Sequence, residues 1–123
     1  MKITGFCPII VTKDQESAVK TFEALGFERR HTKTDIEGGA NIGIAMKDAN
    51  GNRITISSTT KDRPDITAIQ INVDNFQEAY DFLIARGFVN PRGDKVTDTS
   101  SSRSTMLFAP SGFAVTISEH LKD

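Results

Sequence analysis

The chain has 123 residues, which suits one compact domain or two small half-modules that share a core. Its 15 basic and 16 acidic residues give a formal net charge of -1, so it lacks the basic field that holds nucleic acid by neutralising phosphates. A single cysteine, Cys7, excludes an internal disulfide and a cysteine-only zinc site. No apolar run approaches the roughly 20 residues that span a bilayer, and no signal-peptide pattern opens the chain, so we expect a cytoplasmic protein.

The first half of the sequence predicts a strand, a helix and three further strands. The first strand covers residues 3–12, and Asp14 is placed to cap a helix that stops at Gly26. The helix face that we expect to be buried follows i, i+1, i+4, i+7 spacing and comprises Ala18, Val19, Phe22 and Leu25. The three strands that follow are predicted at 27–34, 40–47 and 52–58, with a turn at Asp48-Ala-Asn-Gly51.

The second half predicts the same elements after a polar connector, residues 59–64, that ends in proline. Alternation of apolar with polar residues through Gln70 and Asn72 indicates a strand, and Asn75 with Glu78 forms a possible capping box. The helix after it stops at Gly87 and is expected to bury Phe76, Ala79, Tyr80 and Leu83. The strands that follow are predicted at 88–97, 103–109 and 113–119, with a turn at Ala109-Pro-Ser-Gly112.

The two halves are related by an internal repeat. Gly26-Phe27 recurs as Gly87-Phe88, and 87 − 26 = 61. The same offset aligns residues 55–57, Thr-Ile-Ser, with the identical residues 116–118, without a gap. We therefore predict one α+β domain made of two βαβββ modules, residues 1–60 and 61–123. A four-stranded sheet with one helix leaves its other face open, so two modules can form a curved mixed sheet around a concave groove that encloses a ligand.

Four segments carry a resemblance to a known family: the helix entry Val11-Thr-Lys-Asp14, the helix exit Leu25-Gly-Phe27, the turn and strand at 48–56, and the turn and strand at 109–117. Together with the repeated βαβββ pattern, they resemble the vicinal oxygen chelate superfamily. That superfamily includes glyoxalase I, extradiol dioxygenases, and fosfomycin- and bleomycin-resistance proteins. The resemblance implies the fold, but one fold hosts many chemistries, so it does not imply one reaction.

The resemblance also implies four metal-ligand positions, which this chain fills with Cys7, Thr55, Ala68 and Thr116. Metal-dependent members carry histidine or glutamate there. A divalent site needs two or three carboxylate or imidazole donors that converge at about 2.0–2.2 Å, and these four side chains do not supply them. We therefore expect no metal, no cofactor and no catalytic residue, and we lean against an enzyme.

The groove is expected to be lined by Cys7, Ile9, Thr55, Ser57, Ala68, Gln70, Asn72, Arg103, Thr116 and Ser118. The amides and hydroxyls among them either hydrogen-bond a neutral ligand or are wetted by water. Arg103 lies in the hydroxyl-rich segment 97–105, which is either a polar connection or a flap whose arginine anchors an anionic group. Cys7 is either a reactive thiol or a small buried apolar residue.

The leading hypothesis is a metal-free protein that binds an unidentified small molecule in this groove. By the resemblance to resistance proteins, we expect a homodimer that contacts neither nucleic acid nor membrane. The alternative is a lyase, isomerase or dioxygenase of the same superfamily with a non-standard site. A third possibility is a subunit or regulatory module without a ligand.

Overall fold

The computed structural model of the protein describes residues 1–36 and 41–121. In these residues, two helices and eight strands alternate as βαβββ twice. The first strand pairs in parallel with the fourth, and the fifth with the eighth. The second and third, third and fourth, sixth and seventh, and seventh and eighth strands pair antiparallel. The α+β class with a mixed sheet built from two βαβββ modules is therefore confirmed. The elements are β1 Ile3–Thr12, α1 Gln15–Ala24, β2 Glu28–Ile36, β3 Asn41–Lys47, β4 Arg53–Ser58, β5 Ile66–Val73, α2 Phe76–Ala85, β6 Thr97–Asp98, β7 Ser102–Phe108 and β8 Ala114–His120.

The first compact unit comprises Cys7–Thr67. Its strands lie in the order β2-β3-β4-β1, and α1 packs on one face of this sheet. Val19 is fully buried at the centre of that helix face because alternate residues of β3 and β4 point toward it. The core formed there consists of Val19, Ile44, Met46, Ile54 and Ile56, with Ile10, Ala18, Phe22 and Phe27 packed around it.

The second compact unit comprises Met1–Phe6 together with the chain from Ala68 onward. Its strands lie in the order β1-β5-β8-β7-β6, so the amino-terminal end of β1 belongs to this sheet. Helix α2 packs on one face with Phe76 and Ala79 buried. The core consists of Val73, Phe76, Ala79, Leu107, Val115 and Ile117, and Tyr80 and Leu83 pack against it as expected.

The strand register repeats with the same offset as the sequence. Ile9 pairs with Thr55 in the first unit, and Gln70 pairs with Thr116 in the second, so both partners move by 61 positions. The antiparallel pairs behave in the same way, since Ala45 faces Thr55 and Met106 faces Thr116. The gapless repeat in the sequence is thus a gapless repeat of strand pairing.

Both helices begin at the expected side-chain caps. The Asp14 carboxylate accepts the Ser17 N–H at 3.2 Å, and the Asn75 side-chain oxygen accepts the Glu78 N–H at 3.0 Å. Glu78 does not complete a capping box in the described structure, because its carboxylate pairs with the amino group of Met1.

Both helices also end in the same way, at a glycine with positive φ, 107° for Gly26 and 92° for Gly87. Phe27 N–H then bonds back to the Phe22 carbonyl at 2.9 Å, and their rings meet edge to face at 5.6 Å. Phe27 therefore covers the end of the core. The expectation that Leu25 is buried is wrong: it follows the last helical residue and is 68% exposed.

The predicted strand 88–97 is also wrong. Only Val89 bridges to Phe108 before the chain turns, and β6 is a two-residue strand. Asn90 stabilises this turn from a buried position, since its amide donates to the Lys95 carbonyl at 2.9 Å and its oxygen accepts the Arg92 N–H at 3.0 Å. Proline follows Asn90 and has no N–H for a ladder, so the strand is interrupted there.

The turns between the last two strands of each unit have the predicted positions and different chemistry. In the first, the Asp48 carboxylate accepts the N–H groups of Asn50 and Asn52 at 2.9 and 2.8 Å and the Asn52 amide at 2.8 Å. These bonds, that of the Asn52 side chain above all, hold the pKa of Asp48 below its ordinary value. Ala109 occupies the equivalent place in the second turn, and Pro110 follows it.

Each helix has 10 residues. Within the part of the chain that the structure describes, no helix has the length and apolar character needed to cross a membrane.

Candidate functional site

In the first unit, four of the predicted groove residues lie on the sheet face opposite α1. Register places Ile9 beside Thr55, and alternation along the strands puts Cys7 and Ser57 on the same side. The intervening residues of both strands point to the helix. Ile9 is 5% exposed, whereas the other three are partly exposed. This face therefore combines an apolar centre with one thiol and two hydroxyls.

Cys7 and Thr55 are neighbours on that face, with Sγ and Oγ1 separated by 3.9 Å. The thiol is partly buried and is not part of a disulfide. A nucleophilic thiol would be recognised by an adjacent cation or a helix N-terminus, whereas this contact of Cys7 is to a hydroxyl. The arrangement is that of a small side chain packed against a threonine.

In the second unit, five predicted groove residues lie on the face opposite α2. Gln70 pairs with Thr116 and Asn72 pairs with Ser118. Ala68 is on the same face and is 4% exposed. The hydrogen-bonding side chains here come from adjacent strands that run parallel, so their positions are set by backbone pairing rather than by loops.

Strand β7 extends this face with residues that were not predicted to line a site. Ser104 faces Ser118, and Met106 faces Thr116. The same positions recur in the first unit, where Gly43 and Ala45 pair with Ser57 and Thr55. The 61-residue offset could therefore have identified Ser104 and Met106 as neighbours of Ser118 and Thr116. We call the group Gln70, Asn72, Ser104, Thr116 and Ser118 the second-unit polar face.

The second-unit polar face is uncharged. Along β5, β7 and β8, the side chains that share its side by alternation are neutral from Ala68 to Asn72, from Ser102 to Phe108 and from Ala114 to Ser118. The one titratable residue of these strands in phase with them is His120, at the exposed end of β8. A ligand on this face would thus meet amide and hydroxyl groups without a formal charge.

Thr116 carries an unsatisfied polar atom. Its Oγ1 is buried and has no hydrogen-bond partner among the described residues. Leaving a buried hydroxyl unpaired costs about 1–3 kcal/mol of desolvation, so such groups are normally paired with protein, water or a ligand. The position of this atom, on the face away from the core, makes it the strongest indication of a binding surface in this unit.

Arg103 does not share this face, which corrects its grouping with the other groove residues. It pairs with Glu119 on the side of the sheet that carries α2. Its guanidinium carbon lies 5.5 Å from the centre of the Phe76 ring, and its Nε lies 3.3 Å from the Asp98 carboxylate. Residues 102–105, Ser-Arg-Ser-Thr, contain no alternating apolar residues from which the sequence could predict the face of Arg103. The strand register determines that face.

The side chains at the four family metal positions do not fit a divalent metal. The first unit offers the thiol of Cys7 and the hydroxyl of Thr55, and the second offers the methyl of Ala68 and the hydroxyl of Thr116. Neither pair contains the imidazole or carboxylate that such a site requires. In residues 1–36 and 41–121, no group of three or more His, Cys, Asp or Glu side chains is placed to hold a metal ion.

Residues 5–117 match the model of the Glyoxalase/Bleomycin resistance protein/Dioxygenase superfamily. No curated protein matches the chain significantly. The matched residues include both helices and nearly all of the eight strands, so the match covers the two repeats.

Several solved structures share the fold. Methylmalonyl-CoA epimerase from Mycobacterium tuberculosis superposes with a TM-score of 0.68 at 13% identity, over 98% of this chain and 90% of that one. A variant of the Streptomyces coelicolor methylmalonyl-CoA epimerase, in complex with 2-nitronate-propionyl-CoA, gives 0.67 at 16% identity, over 98% and 100%. A Zea mays glyoxalase I mutant gives 0.66 at 15% identity, over 98% of this chain but 44% of that one. At these identities the likeness concerns the fold alone.

Proposed function

The chain belongs to the Glyoxalase/Bleomycin resistance protein/Dioxygenase superfamily, and we propose that it binds a small organic molecule on the second-unit polar face without a metal ion. Recognition would rest on hydrogen bonds from amides and hydroxyls, with Met106 supplying apolar contact. The protein would act as a binder and not as a catalyst of metal-dependent chemistry.

The single observation that carries this proposal is the buried Thr116 hydroxyl without a partner among the described residues. The resemblance places a metal-binding glutamate at that position in metal-dependent relatives. Here a hydroxyl replaces it, which can donate one hydrogen bond and accept others but is a poor ligand for a divalent metal. A ligand that bonds to Thr116 would remove the desolvation penalty of this atom, and that gain favours the bound state.

The chemistry of the face also argues for binding rather than acid–base catalysis. General acids and bases are side chains that exchange protons near neutral pH, and the second-unit polar face carries none. Hydroxyls and amides hold a substrate in place but do not move its protons. An enzyme of this superfamily that uses this face would need a group from outside it.

A titration of the purified protein tests the proposal. The melting temperature is measured against a panel of neutral and charged fragments and, separately, against nickel, zinc, manganese and iron(II). A compound that binds only the folded state, present at a concentration of about a hundred times its Kd, adds about 2.7 kcal/mol to the free energy of unfolding. We expect stabilisation by a neutral organic compound and none by a metal.

The site itself is tested with a matched pair of variants. Thr116→Val keeps the side-chain shape and removes the unpaired hydroxyl, whereas Thr55→Val makes the same change at the equivalent position of the first unit. Binding should weaken about 2- to 12-fold in T116V, the worth of one net hydrogen bond, and stay within about twofold in T55V. Equal losses in both variants, or a metal-dependent gain in stability, would overturn the proposal and favour the enzyme alternative.

Three expectations from the sequence stay part of this proposal: the organisation as one domain of modules 1–60 and 61–123, the homodimer, and the cytoplasmic location. Sedimentation equilibrium tests the homodimer directly. A mass of twice 13.5 kDa is expected, and a single-chain mass at micromolar concentration would contradict it.

A further inference from the structure

Gly5 lies unusually close to one of the amides on the second-unit polar face. A Cβ added to Gly5 would lie 2.7 Å from Asn72 Nδ2 and 3.3 Å from Asn72 Cβ. Real Cβ atoms are essentially never found under 3.0 Å from a neighbour, so any residue larger than glycine would force the Asn72 amide to move. Both residues belong to the second unit, where β1 lies next to β5.

The bonds that flank this contact fix the backbone around it. Asp74 N–H donates to the Lys2 carbonyl at 3.0 Å, and Lys2 N–H donates to the Asp74 carboxylate at 2.6 Å. The Asn72 side chain, in contrast, makes no hydrogen bond to any described residue, and it is only partly buried. Its position is therefore set by packing over the bare α-carbon of Gly5, and its donor and acceptor both remain available.

We infer that Gly5 is a positioning residue for Asn72, and that the pair selects uncharged ligands that carry a carboxamide or lactam group. This inference rests on the proposed function. An Asn side chain presents one acceptor and an NH₂ donor side by side, which complements a second amide through two hydrogen bonds. Register keeps Ser118 beside it, where the hydroxyl supplies a third bond to the same ligand group.

A carboxylate of the same shape is rejected on this face. It presents acceptors only, so the Asn72 oxygen would face another oxygen. No lysine or arginine of β5, β7 or β8 shares the side to offset the loss of its hydration. Burying an anion without a partner is far more costly than burying a neutral amide.

The experiment uses benzamide and benzoate as probes, because they match in size and differ in charge. The ¹⁵N-labelled full chain is titrated with each at millimolar concentration, and the side-chain NH₂ signals are followed by NMR. The Asn72 signal is assigned by its absence in Asn72→Ser. We expect benzamide to shift the Asn72 signal, and benzoate to bind at least about fivefold more weakly, a factor within the worth of one hydrogen bond.

The role of Gly5 is tested by Gly5→Ala, with Thr4→Ala as the control on the same strand and opposite face. G5A should displace the Asn72 amide and weaken benzamide about tenfold, while T4A leaves the affinity within about twofold. Asn72→Ser should lose the preference for benzamide over benzoate, and adding G5A to it should change nothing further, since the displaced group is gone. That lack of additivity is the signature of a positioning role, and N72S gives the result even where G5A is poorly stable.

The outcomes separate the two proposals. If benzamide binds, T116V weakens it and G5A does not, the inference about Gly5 is wrong while the proposed function stands. Benzoate binding as tightly as benzamide would overturn the ligand class alone. If neither probe shifts the Asn72, Thr116 or Ser118 signals, the inference about the ligand class fails, while the proposed function is judged separately by the fragment panel and the T116V and T55V pair.

Discussion

The two units share strand register, helix caps and turn positions, yet the sheet faces away from their helices differ. In the first unit Ile9 and Val11 occupy the central strand, and in the second Gln70 and Asn72 occupy the equivalent places. The partner strand meanwhile keeps the same Thr-Ile-Ser sequence in both. The helix side is constrained by the need to bury apolar area, so its pattern repeats. The other face is free to differ, and there the second unit has amides where the first has apolar groups.

The same comparison distinguishes two identical residues. Thr55 and Thr116 stand at equivalent positions, but the Thr55 hydroxyl lies 3.9 Å from the Cys7 thiol, and the Thr116 hydroxyl is buried with no partner among the described residues. Identity in the repeat therefore does not mean identity of environment. The function that we propose depends on this difference and not on the fold, which the two units have in common.

The largest effects should come from the helix side, where the units are alike. Ile56 and Ile117 occupy equivalent positions in the repeat, and the two residues are 0% and 1% exposed, respectively. Each replacement by alanine should lower the free energy of unfolding by about 2–5 kcal/mol, because transfer and cavity terms add. Urea denaturation measures both. Losses that differ by more than about twofold between I56A and I117A would break the claim that the units match on this side.

Replacing the glycines that end the two helices should have a smaller effect on stability, and the effect should differ between the units. Gly26 and Gly87 both have positive φ, but a Cβ at Gly26 would meet nothing within 4 Å, whereas one at Gly87 would lie 3.0 Å from Pro110 Cγ. Gly26→Ala should cost about 1–2 kcal/mol from backbone strain alone. Gly87→Ala should cost more, and thermal denaturation of both variants measures the difference.

Pro110→Ala supplies the control for that difference. When Gly87→Ala is made in the Pro110→Ala variant, it should lower the free energy of unfolding only as much as Gly26→Ala does. The contact between the new Cβ and the proline ring is then absent, and only the backbone strain remains. If the excess cost of Gly87→Ala persists without the proline ring, the contact is not its cause.

The threonine pair should differ in stability as well as in binding. Without ligand, Thr55→Val should cost about 0.5–1.5 kcal/mol through the loss of its hydroxyl contacts. Thr116→Val should be neutral or stabilising, because the variant no longer buries an unpaired hydroxyl. Chemical denaturation of the two variants in parallel measures the difference. A loss of stability in T116V as large as in T55V would show that Thr116 is satisfied in the free protein, and the proposal would lose its main support.

Most of the fold could be predicted because local signals agreed with the repeat. Asp14 and Asn75 cap their helices, and Gly26 and Gly87 end them, since these positions depend on a few neighbouring residues. The repeat wrongly predicted a continuous strand at 88–97, because a buried asparagine before a proline reorganises the backbone there. One local substitution thus interrupts an element that the repeat indicates.

The candidate site was predicted only in part, for a reason of register. Alternation placed Gln70 and Asn72 correctly opposite the core, since apolar neighbours flank them along β5. Arg103 lies among hydroxyl residues, so nothing apolar marks its face, and pairing with Glu119 puts it on the helix side. The sequence around Gly5 could not predict its importance, because the space that Gly5 leaves is occupied by Asn72, which is far along the chain.

The smallest expected effect concerns the two turns and their pH dependence. Hydrogen bonds from Asn52, first of all from its side chain, lower the pKa of Asp48 from the ordinary 3.8, so the folded state favours the charged carboxylate. This stabilisation is present above pH 3.8 and is lost as the pH falls through the lowered value. Asp48→Ala should therefore reduce the melting temperature slightly at about pH 7, and the gap between variant and parent should close in acid. Ser111→Ala, in the second turn, changes no carboxylate and serves as the control. A gap that stays constant down to about pH 3 would show that Asp48 acts through its shape and not through its charge, since the protonated group keeps its place in the turn.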